Sequence, residues 1–138
     1  MKKIISLLLL NLSLLVSSET NTLGYLSNFN EAIELAKKEN KMVMLIMTED
    51  GCPWCENLKE RVLIQEEVSH RIKNEFIALI LNKDMDIYPS YYETKYTPTT
   101  FFIDAQTQEE VWSNIGYVNP KEFLVVLNDA HDANSGEN

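Results

Sequence analysis

The sequence predicts a single α/β domain whose central mixed β-sheet is flanked by helices on both faces. Three short apolar runs, residues 41–47, 76–82 and 99–103, show no polar alternation, which is typical of strands that are buried on both faces. Segments with apolar residues at helical spacing separate these runs. With 45% hydrophobic residues, the chain of 138 residues can bury a substantial core.

The first helix is predicted over residues 27–40. Asn28 can cap its N-terminus, and Glu31 lies three residues later, as in a capping box. A short apolar stretch, residues 23–26, precedes the helix and is expected to form a short leading strand. The apolar positions that recur at helical spacing are Phe29, Ala32, Ile33 and Ala36.

Further helices and a hairpin complete the pattern. The stretch CENLKERVL, residues 55–63, has helical character, and residues 66–75 predict another helix. Residues 110–116 are expected to pair with the third strand in a hairpin. Asn119 and Pro120 open a last helix that should end near His131.

Residues 1–18 have the layout of a secretory signal peptide. Lys2 and Lys3 form a positive start, residues 4–16 are mostly apolar, and Ser18 is a small residue suited to precede a cleavage site. The apolar run of about 13 residues is shorter than the roughly 20 that a membrane-spanning helix needs. We therefore expect cleavage and export, with an uncleaved membrane anchor as the alternative.

The expected mature chain begins at Glu19. It comprises one domain over residues 19–131 and a polar, disordered tail over residues 132–138. Removal of the signal leaves 10 basic against 21 acidic residues, a net charge near −11. Such a surface repels nucleic acids and anionic lipids, so neither is an expected partner.

Cys52 and Cys55 are the only two cysteines, and they lie in the stretch EDGCPWCEN, residues 49–57. A disulfide between them closes a loop of four residues, for which the entropic stabilisation is only about 2 kcal/mol, against about 3 kcal/mol for a loop of roughly 15 residues. A structural zinc site needs about four ligands, and only His70 and His131 could add to the pair. Both histidines are expected to be ordinary surface residues, so no metal site is predicted.

The position of the cysteine pair favours redox chemistry. Cys52 follows a strand and precedes a helix, so its sulfur should lie near unpaired helix N–H groups, which lower the pKa of a thiol. Pro53 suits the first helical turn because its missing N–H has no partner there. Cys55, one turn further, should be more buried and within reach of Cys52. This order suits attack by the first sulfur and resolution by the second.

Two stretches resemble the signatures of thioredoxin-fold proteins. MVMLIMTEDGCPWCENLK, residues 42–59, resembles their strand, Cys-X-X-Cys loop and helix, and YTPTTFFID, residues 96–104, resembles the loop in which a cis-proline opens the next strand. Gly116 followed by NPKEFLVVL resembles the closing strand and helix. The match covers most of residues 28–131. Together with the export signal, the chain is most similar to small exported thioredoxin-like proteins, many of them bacterial and periplasmic.

The resemblance implies a role for each matching residue. Cys52 would be the nucleophile and Cys55 the resolving thiol, with their disulfide as the redox group and no other cofactor. Pro98 would be cis, would face the pair, and would keep a backbone N–H away from the sulfurs. Thr97 would offer backbone groups to an extended substrate, a form of strand addition.

Aromatic residues surround the expected site. Pro53 and Trp54 lie between the cysteines and would contact the substrate. For Trp54, an exposed side chain without any role in binding is an equally good interpretation. Four tyrosines lie in the stretch before Pro98, and core packing is expected for most of them.

The sequence departs from thioredoxin itself at the site. Thioredoxin has a buried acid six residues before its first cysteine, where this chain has Ile46, and Gly-Pro between the cysteines, where this chain has Pro-Trp. The pair also lacks the internal histidine of the strongly oxidising periplasmic enzymes. Glu49, Asp50 and Glu56 flank the cysteines and could replace the missing acid.

These observations favour a thiol–disulfide oxidoreductase that acts on the thiols and disulfides of exported proteins. We expect a monomeric reductase that a membrane thiol–disulfide partner resets. A dithiol oxidase of the same fold is the nearest alternative, whereas isomerases of this fold usually carry a dimerisation domain, for which the chain has no room. A redox-inert binding module that uses the groove at Pro98 would share the fold, and the reactivity of Cys52 separates it from the enzymes.

Overall fold

The computed structural model describes residues 23–136. In chain order the elements are α1 (Phe29–Glu39), β1 (Met42–Thr48), α2 (Pro53–Asn57), a π-helical turn (Leu58–Val62), α3 (Glu66–Glu75), β2 (Phe76–Asn82), a 3-10 turn (Ser90–Tyr92), β3 (Thr99–Ile103), β4 (Glu110–Ile115) and α4 (Pro120–Ser135). The strands of this part of the chain form one sheet in the order β2-β1-β3-β4. β1 runs parallel to β2 and antiparallel to β3, and β4 pairs antiparallel with β3. The predicted mixed sheet is therefore confirmed.

β1 is the centre of the fold because all seven of its residues are buried. Successive side chains of a strand point to opposite faces of the sheet, so Leu45 packs into the core on one face and Ile46 into the core on the other. Leu45 lies opposite Leu79 of β2 and Phe101 of β3. An apolar run without alternation is what a strand with two buried faces requires.

The core has two layers, one on each face of the sheet. The buried residues of the first layer, which α1 covers, are Phe29, Ala32, Ile33, Ala36, Val43, Leu45, Met47, Ile77, Leu79, Leu81, Tyr92, Phe101, Ile103 and Ala105. Those of the second layer, which the π-helical turn, α3 and α4 cover, are Met42, Met44, Ile46, Leu58, Val62, Leu63, Val68, Ile72, Phe76, Phe102, Phe123, Val126, Leu127 and Ala130. Helices therefore flank both faces of the sheet, as predicted.

Side-chain caps fix the starts of α1 and α4. Asn28 Oδ1 accepts a hydrogen bond from the Glu31 backbone N–H at 3.0 Å. Asn119 Oδ1 accepts one from the Glu122 backbone N–H at 3.0 Å, and the Glu122 carboxylate accepts one from the Asn119 backbone N–H at 3.2 Å. Each bond satisfies a donor that has no partner inside its helix. The capping signals in the sequence therefore located both N-termini correctly.

α4 continues beyond its predicted end. The sequence predicted a helix ending near His131 and a disordered tail after it, but the helix runs to Ser135. The Ser135 hydroxyl donates to the Asp132 carbonyl at 3.0 Å, and Gly136 follows in the left-handed conformation at φ 73°. The prediction of disorder is wrong for residues 132–135 because the left-handed glycine, rather than the polarity of the segment, ends the helix.

Of the predictions for the N-terminal region, the structure tests only the leading strand. The stretch 23–26 contributes an isolated parallel bridge between Leu26 and Leu79 at the edge of β2, rather than a full strand. The predicted signal peptide, residues 1–18, lies outside the described residues. Within the described part of the chain, no helix is both long and apolar enough to cross a membrane.

Only two of the four tyrosines in the loop between β2 and β3 pack against the core. Tyr92 is 1% exposed, and its hydroxyl donates to the Gln108 carbonyl at 2.7 Å. Tyr88 packs partly buried against the first core layer, whereas Tyr91 and Tyr96 are more than 60% exposed. Core packing therefore accounts for two of the four tyrosines and not for most of them.

Candidate redox site

The site begins where β1 ends. Gly51 lies in the turn that follows, at φ 68°, a conformation that glycine adopts without strain. Cys52 then caps α2, because its Sγ accepts a hydrogen bond from the Cys55 backbone N–H at an N···S distance of 3.1 Å. Pro53 occupies the first helical position, as its missing N–H favours. The strand end and the proline thus place both cysteines on the first turn of the helix.

Cys52 and Cys55 form a disulfide, with their Cα atoms 5.3 Å apart. Cys55 is only 1% exposed, whereas Cys52 is half-buried. The prediction that Cys55 is the more buried of the two is confirmed. Cys52 is therefore the sulfur that an incoming thiol or disulfide can reach.

The loop before β3 lies against the disulfide. The Thr97–Pro98 peptide bond is cis, the conformation that the resemblance implies. The Thr97 carbonyl oxygen lies 3.6 Å, and its Oγ1 3.5 Å, from Cys52 Sγ. Pro98 is buried, and its carbonyl accepts a hydrogen bond of 2.8 Å from the Gly116 backbone N–H. The loop is therefore held between the cysteine turn and the end of β4.

An ion pair lies behind Thr97. The Thr97 hydroxyl donates to Glu49 Oε1 at 2.7 Å, and Lys83 Nζ lies 2.8 Å from Glu49 Oε2. The hydrogen bond from Lys83, followed by that from Thr97, lowers the pKa of the Glu49 carboxyl below its usual value. The hydrogen bond to Glu49 raises the pKa of Lys83. Both groups are therefore charged at neutral pH.

The other two acids near the cysteines have different partners. Asp50 accepts a hydrogen bond from the Asn82 side chain at 2.9 Å, and Glu56 forms an ion pair of 2.6 Å with Lys59 on the neighbouring turn. Of the three acids that the sequence offered, Glu49 is the one hydrogen-bonded to a residue that contacts Cys52.

An aromatic pair flanks the disulfide on the helix side. Trp54 is 57% exposed, and its ring centroid lies 5.2 Å from that of Tyr117, at an interplanar angle of 38°. Tyr117 was not among the predicted site residues, although an aromatic residue directly after Gly116 was a usable signal. Lys83 was not among them either, and no local signal for it exists because Glu49 lies far away along the chain.

The structure brings the predicted site residues to one place. Four of them meet at the disulfide and the loop before β3, and the two residues between the cysteines lie exposed on the outer side of α2. The four are Cys52, Cys55, Thr97 and Pro98, and the two are Pro53 and Trp54.

The histidines lie elsewhere, and one of them is not an ordinary surface residue. His70 is exposed and pairs with Asn74 on its own helix. His131 Nε2 lies 2.8 Å from Glu75 Oε2, and its ring packs on Phe76, with centroids 5.0 Å apart. His131 therefore joins α4 to α3, which corrects its prediction as a simple surface side chain.

Comparison with known proteins assigns the family. A family model described as a thioredoxin-like domain matches residues 29–131, which is most of the sequence. The chain belongs to the thioredoxin-like family. A thioredoxin from Thermus thermophilus has a similar structure, with a TM-score of 0.69 and 26% identity over 81% of this chain and 91% of that one. The C-terminal domain of DsbD from Neisseria meningitidis, in its oxidised form, gives a TM-score of 0.63 at 19% identity, over 77% of this chain and 98% of that one.

Curated relatives are matched over shorter stretches. Mouse anterior gradient protein 3 is 29% identical over 83 residues, which are 58% of this chain and 48% of that protein. This chain spans less than half of the length of the curated relatives it matches. What the family model and the geometry establish together is a thioredoxin-like fold that carries a redox-capable cysteine pair at the start of α2.

Proposed function

We propose that this protein is a thiol–disulfide oxidoreductase that reduces disulfides in exported proteins. The observation that carries the proposal is the Cys52–Cys55 disulfide at the start of α2, with one half-buried and one fully buried sulfur beside Thr97 and Pro98. A loop of four residues gains only about 2 kcal/mol from such a bond. Chemistry at the reachable sulfur therefore explains the pair better than stabilisation does.

Reduction of a substrate disulfide would take two exchange steps. The Cys52 thiolate attacks one substrate sulfur, forms a mixed disulfide and releases the other substrate sulfur as a thiolate, which takes up a proton. Cys55, after losing its proton, attacks the Cys52 sulfur, releases the second substrate thiol and restores the Cys52–Cys55 disulfide. Two electrons pass to the substrate, and a donor dithiol must return two electrons to the site. The cycle needs no cofactor besides the cysteine pair.

The surroundings of Cys52 would bind an extended substrate segment. Thr97 offers backbone groups beside the sulfur to which an extended segment can hydrogen-bond. Pro98 has no backbone N–H that could donate a hydrogen bond to the sulfurs. Pro53 and Trp54 would cover the segment from the helix side, with Tyr117 as the support of the indole ring.

The order of the two sulfurs predicts different defects in two cysteine variants. Cys52→Ser should abolish disulfide exchange, because the reachable nucleophile is gone. Cys55→Ser should accumulate mixed disulfides with substrates, because the resolving thiol is missing. Non-reducing electrophoresis of both variants, with the double variant as control, measures the trapped species. Equal trapping by both single variants would mean that the roles are misassigned, and an unreactive Cys52 in the wild-type protein would point to a binding module.

The charges near the pair support the direction of electron flow. The Cys55 N–H favours a Cys52 thiolate. The nearby cations Lys83 and Lys59 are paired with Glu49 and Glu56, and Asp50 adds a negative charge, so the charged groups around the turn do not favour the anion. A stabilised thiolate favours the reduced form of the cysteine pair, as in a strongly oxidising bacterial enzyme of this fold, whose reduction potential is about −120 mV. We expect a Cys52 pKa of about 6 to 7.5 and a potential more negative than about −180 mV.

Equilibration with a glutathione buffer tests the direction. Trp112→Phe leaves Trp54, next to the disulfide, as the single tryptophan reporter, because the chain has two tryptophans. A measured reduction potential of about −120 mV would instead indicate an oxidase.

Export and partners complete the proposal. The signal-like residues 1–18 support an exported protein, periplasmic if the source is bacterial, that works as a monomer on exported thiols and disulfides. A membrane thiol–disulfide protein would supply the electrons. Mass spectrometry of protein from the exported fraction should find Glu19 as the first residue. An intact N-terminus in that fraction would favour the uncleaved anchor instead.

A further inference from the structure

The hydroxyl group of Thr97 lies between two acceptors. Its Oγ1 is 2.7 Å from Glu49 Oε1 and 3.5 Å from Cys52 Sγ. A hydroxyl group has a single hydrogen and can donate it in one direction at a time. The question is therefore which of the two atoms receives it.

The geometry assigns the hydrogen to Glu49. A carboxylate only accepts hydrogen bonds, so an oxygen–oxygen distance of 2.7 Å requires the hydrogen to lie between Thr97 and Glu49. The ion pair with Lys83 holds this carboxylate in place and in its charged form. Thr97 Oγ1 consequently presents a lone pair to Cys52 Sγ, as does the Thr97 carbonyl oxygen at 3.6 Å.

We propose that the Lys83–Glu49 pair is a positioning device that withholds the Thr97 hydrogen from Cys52 and thereby disfavours the Cys52 thiolate. After reduction, two oxygen acceptors face the sulfur, and acceptors stabilise the neutral S–H over the anion. Among the described residues, the donor that remains at the sulfur is the Cys55 N–H. This inference rests on the proposed function, and it makes the site a weaker stabiliser of the thiolate, which is the property of a reductase.

Other charged groups lie around the cysteine turn and must be separated from this effect. Asp50 is occupied by Asn82, and Glu56 is paired with Lys59. These acids act on Cys52 only through space, whereas Glu49 also acts through the hydroxyl group of Thr97. Asp50 is therefore a matched control, since it is an acid adjacent to Glu49 in the sequence without the hydrogen bond to Thr97.

The experiment compares the Cys52 pKa of the reduced wild-type protein with those of Glu49→Gln and Asp50→Asn. The pH dependence of Cys52 alkylation by iodoacetamide gives each value, and thermal unfolding checks that each variant is folded. Glu49→Gln should lower the Cys52 pKa by about one unit, which is roughly tenfold more thiolate at a pH below the pKa. The amide can donate to Thr97 Oγ1 and so leave the hydroxyl hydrogen free for the sulfur. Asp50→Asn should shift the Cys52 pKa by much less.

A double-mutant cycle shows whether Glu49 acts through Thr97. If it does, Glu49→Gln in a Thr97→Val background should produce less than about half of its shift in the wild-type background. Thr97→Ser, which retains the hydroxyl group, should preserve the full shift. An undiminished shift in the Thr97→Val background, where the hydroxyl group is absent, would mean that Glu49 acts through space alone and would overturn the inference.

Failure of the inference and failure of the proposed function give different results. A Cys52 that is alkylated readily but has the same pKa with and without Glu49 overturns the positioning role and leaves the oxidoreductase proposal standing. A Cys52 that is not alkylated in the reduced wild-type protein overturns both.

Discussion

Trp54 is a large apolar side chain that the fold keeps at the surface. Its indole is 57% exposed, and it leans on the ring of Tyr117. Tyr117 itself packs partly buried against the second core layer. Because this support restricts the indole next to Cys52, Trp54 can offer a preorganised contact to whatever approaches the disulfide.

Replacing Trp54 should therefore affect protein substrates selectively. We expect Trp54→Ala to lower kcat/KM for a protein disulfide about 3- to 10-fold, since an aromatic contact contributes on the order of 1 kcal/mol. The rate with a small disulfide reagent and the thermal stability should change little, because the side chain is largely exposed. Steady-state assays with both kinds of substrate measure the difference.

Trp112→Ala is the matched control for this prediction. Trp112 lies on β4 opposite Phe102, three residues along the strand from Ile115 at its site end, and is 40% exposed. A similar loss of activity in Trp112→Ala, or an equal loss with the small reagent, would contradict a contact role for Trp54.

α3 and α4 are joined by a cluster of polar side chains at the periphery of the second core layer. Arg71 donates to both carboxylate oxygens of Glu75, at 2.8 and 2.9 Å, and to the Asn128 side chain at 2.8 Å. Glu75 also pairs with His131 at 2.8 Å. The hydrogen bonds from Arg71, more than that from His131, lower the pKa of the Glu75 carboxyl. The cluster therefore couples the packing of the two helices to the charge of one carboxylate.

Because the pKa of Glu75 is lowered in the folded protein, the contribution of this polar cluster to the free energy of unfolding depends on pH. The carboxyl takes up a proton more readily in the unfolded chain, so its stabilising effect is complete above the unfolded pKa of about 4.3 and is lost as the pH falls through the lower, folded pKa. Glu75→Gln should cost about 1 kcal/mol at neutral pH, and the difference from wild type should shrink below about pH 4. Urea unfolding at several pH values measures it.

Glu60→Gln, which removes an exposed carboxylate from the π-helical turn, controls for the general effect of charge. A difference between wild type and Glu75→Gln that stays constant down to about pH 2 would show that the carboxylate charge is not what joins the helices.

At the scale of the whole molecule, the sequence predicted those features that local chemistry encodes. β1 was visible because its apolar residues serve two core layers, and Asn28 and Asn119 were visible because a cap needs a specific side chain at a fixed spacing. Cys52 and Cys55 were visible for the same reason, since three positions separate them along the chain. The sequence therefore located the sheet, the helix starts and the cysteine pair.

Features that depend on distant partners were not visible. Lys83 becomes part of the site only because β2 lies parallel to β1 and brings its end beside Glu49. Tyr117 lies near the site because the backbone hydrogen bond from Gly116 to Pro98 holds the end of β4 against the loop before β3. The exposure of Tyr91 and Tyr96 likewise depends on how the whole loop folds, because the composition of such a loop is the same whether its rings point inward or outward.

The π-helical turn behind the cysteines bears on how the chain tolerates changes in length. The Leu63 backbone N–H donates at 3.0 Å to the carbonyl of Leu58, five residues earlier, so this turn holds one residue more than an α-helical turn. Deleting a residue from a regular helix rotates everything beyond it by about 100°. Here the surplus residue can be lost while α2, which precedes the turn, keeps its buried face. Deletion of one residue should therefore be accommodated in this turn without displacing Cys52 and Cys55, which precede it.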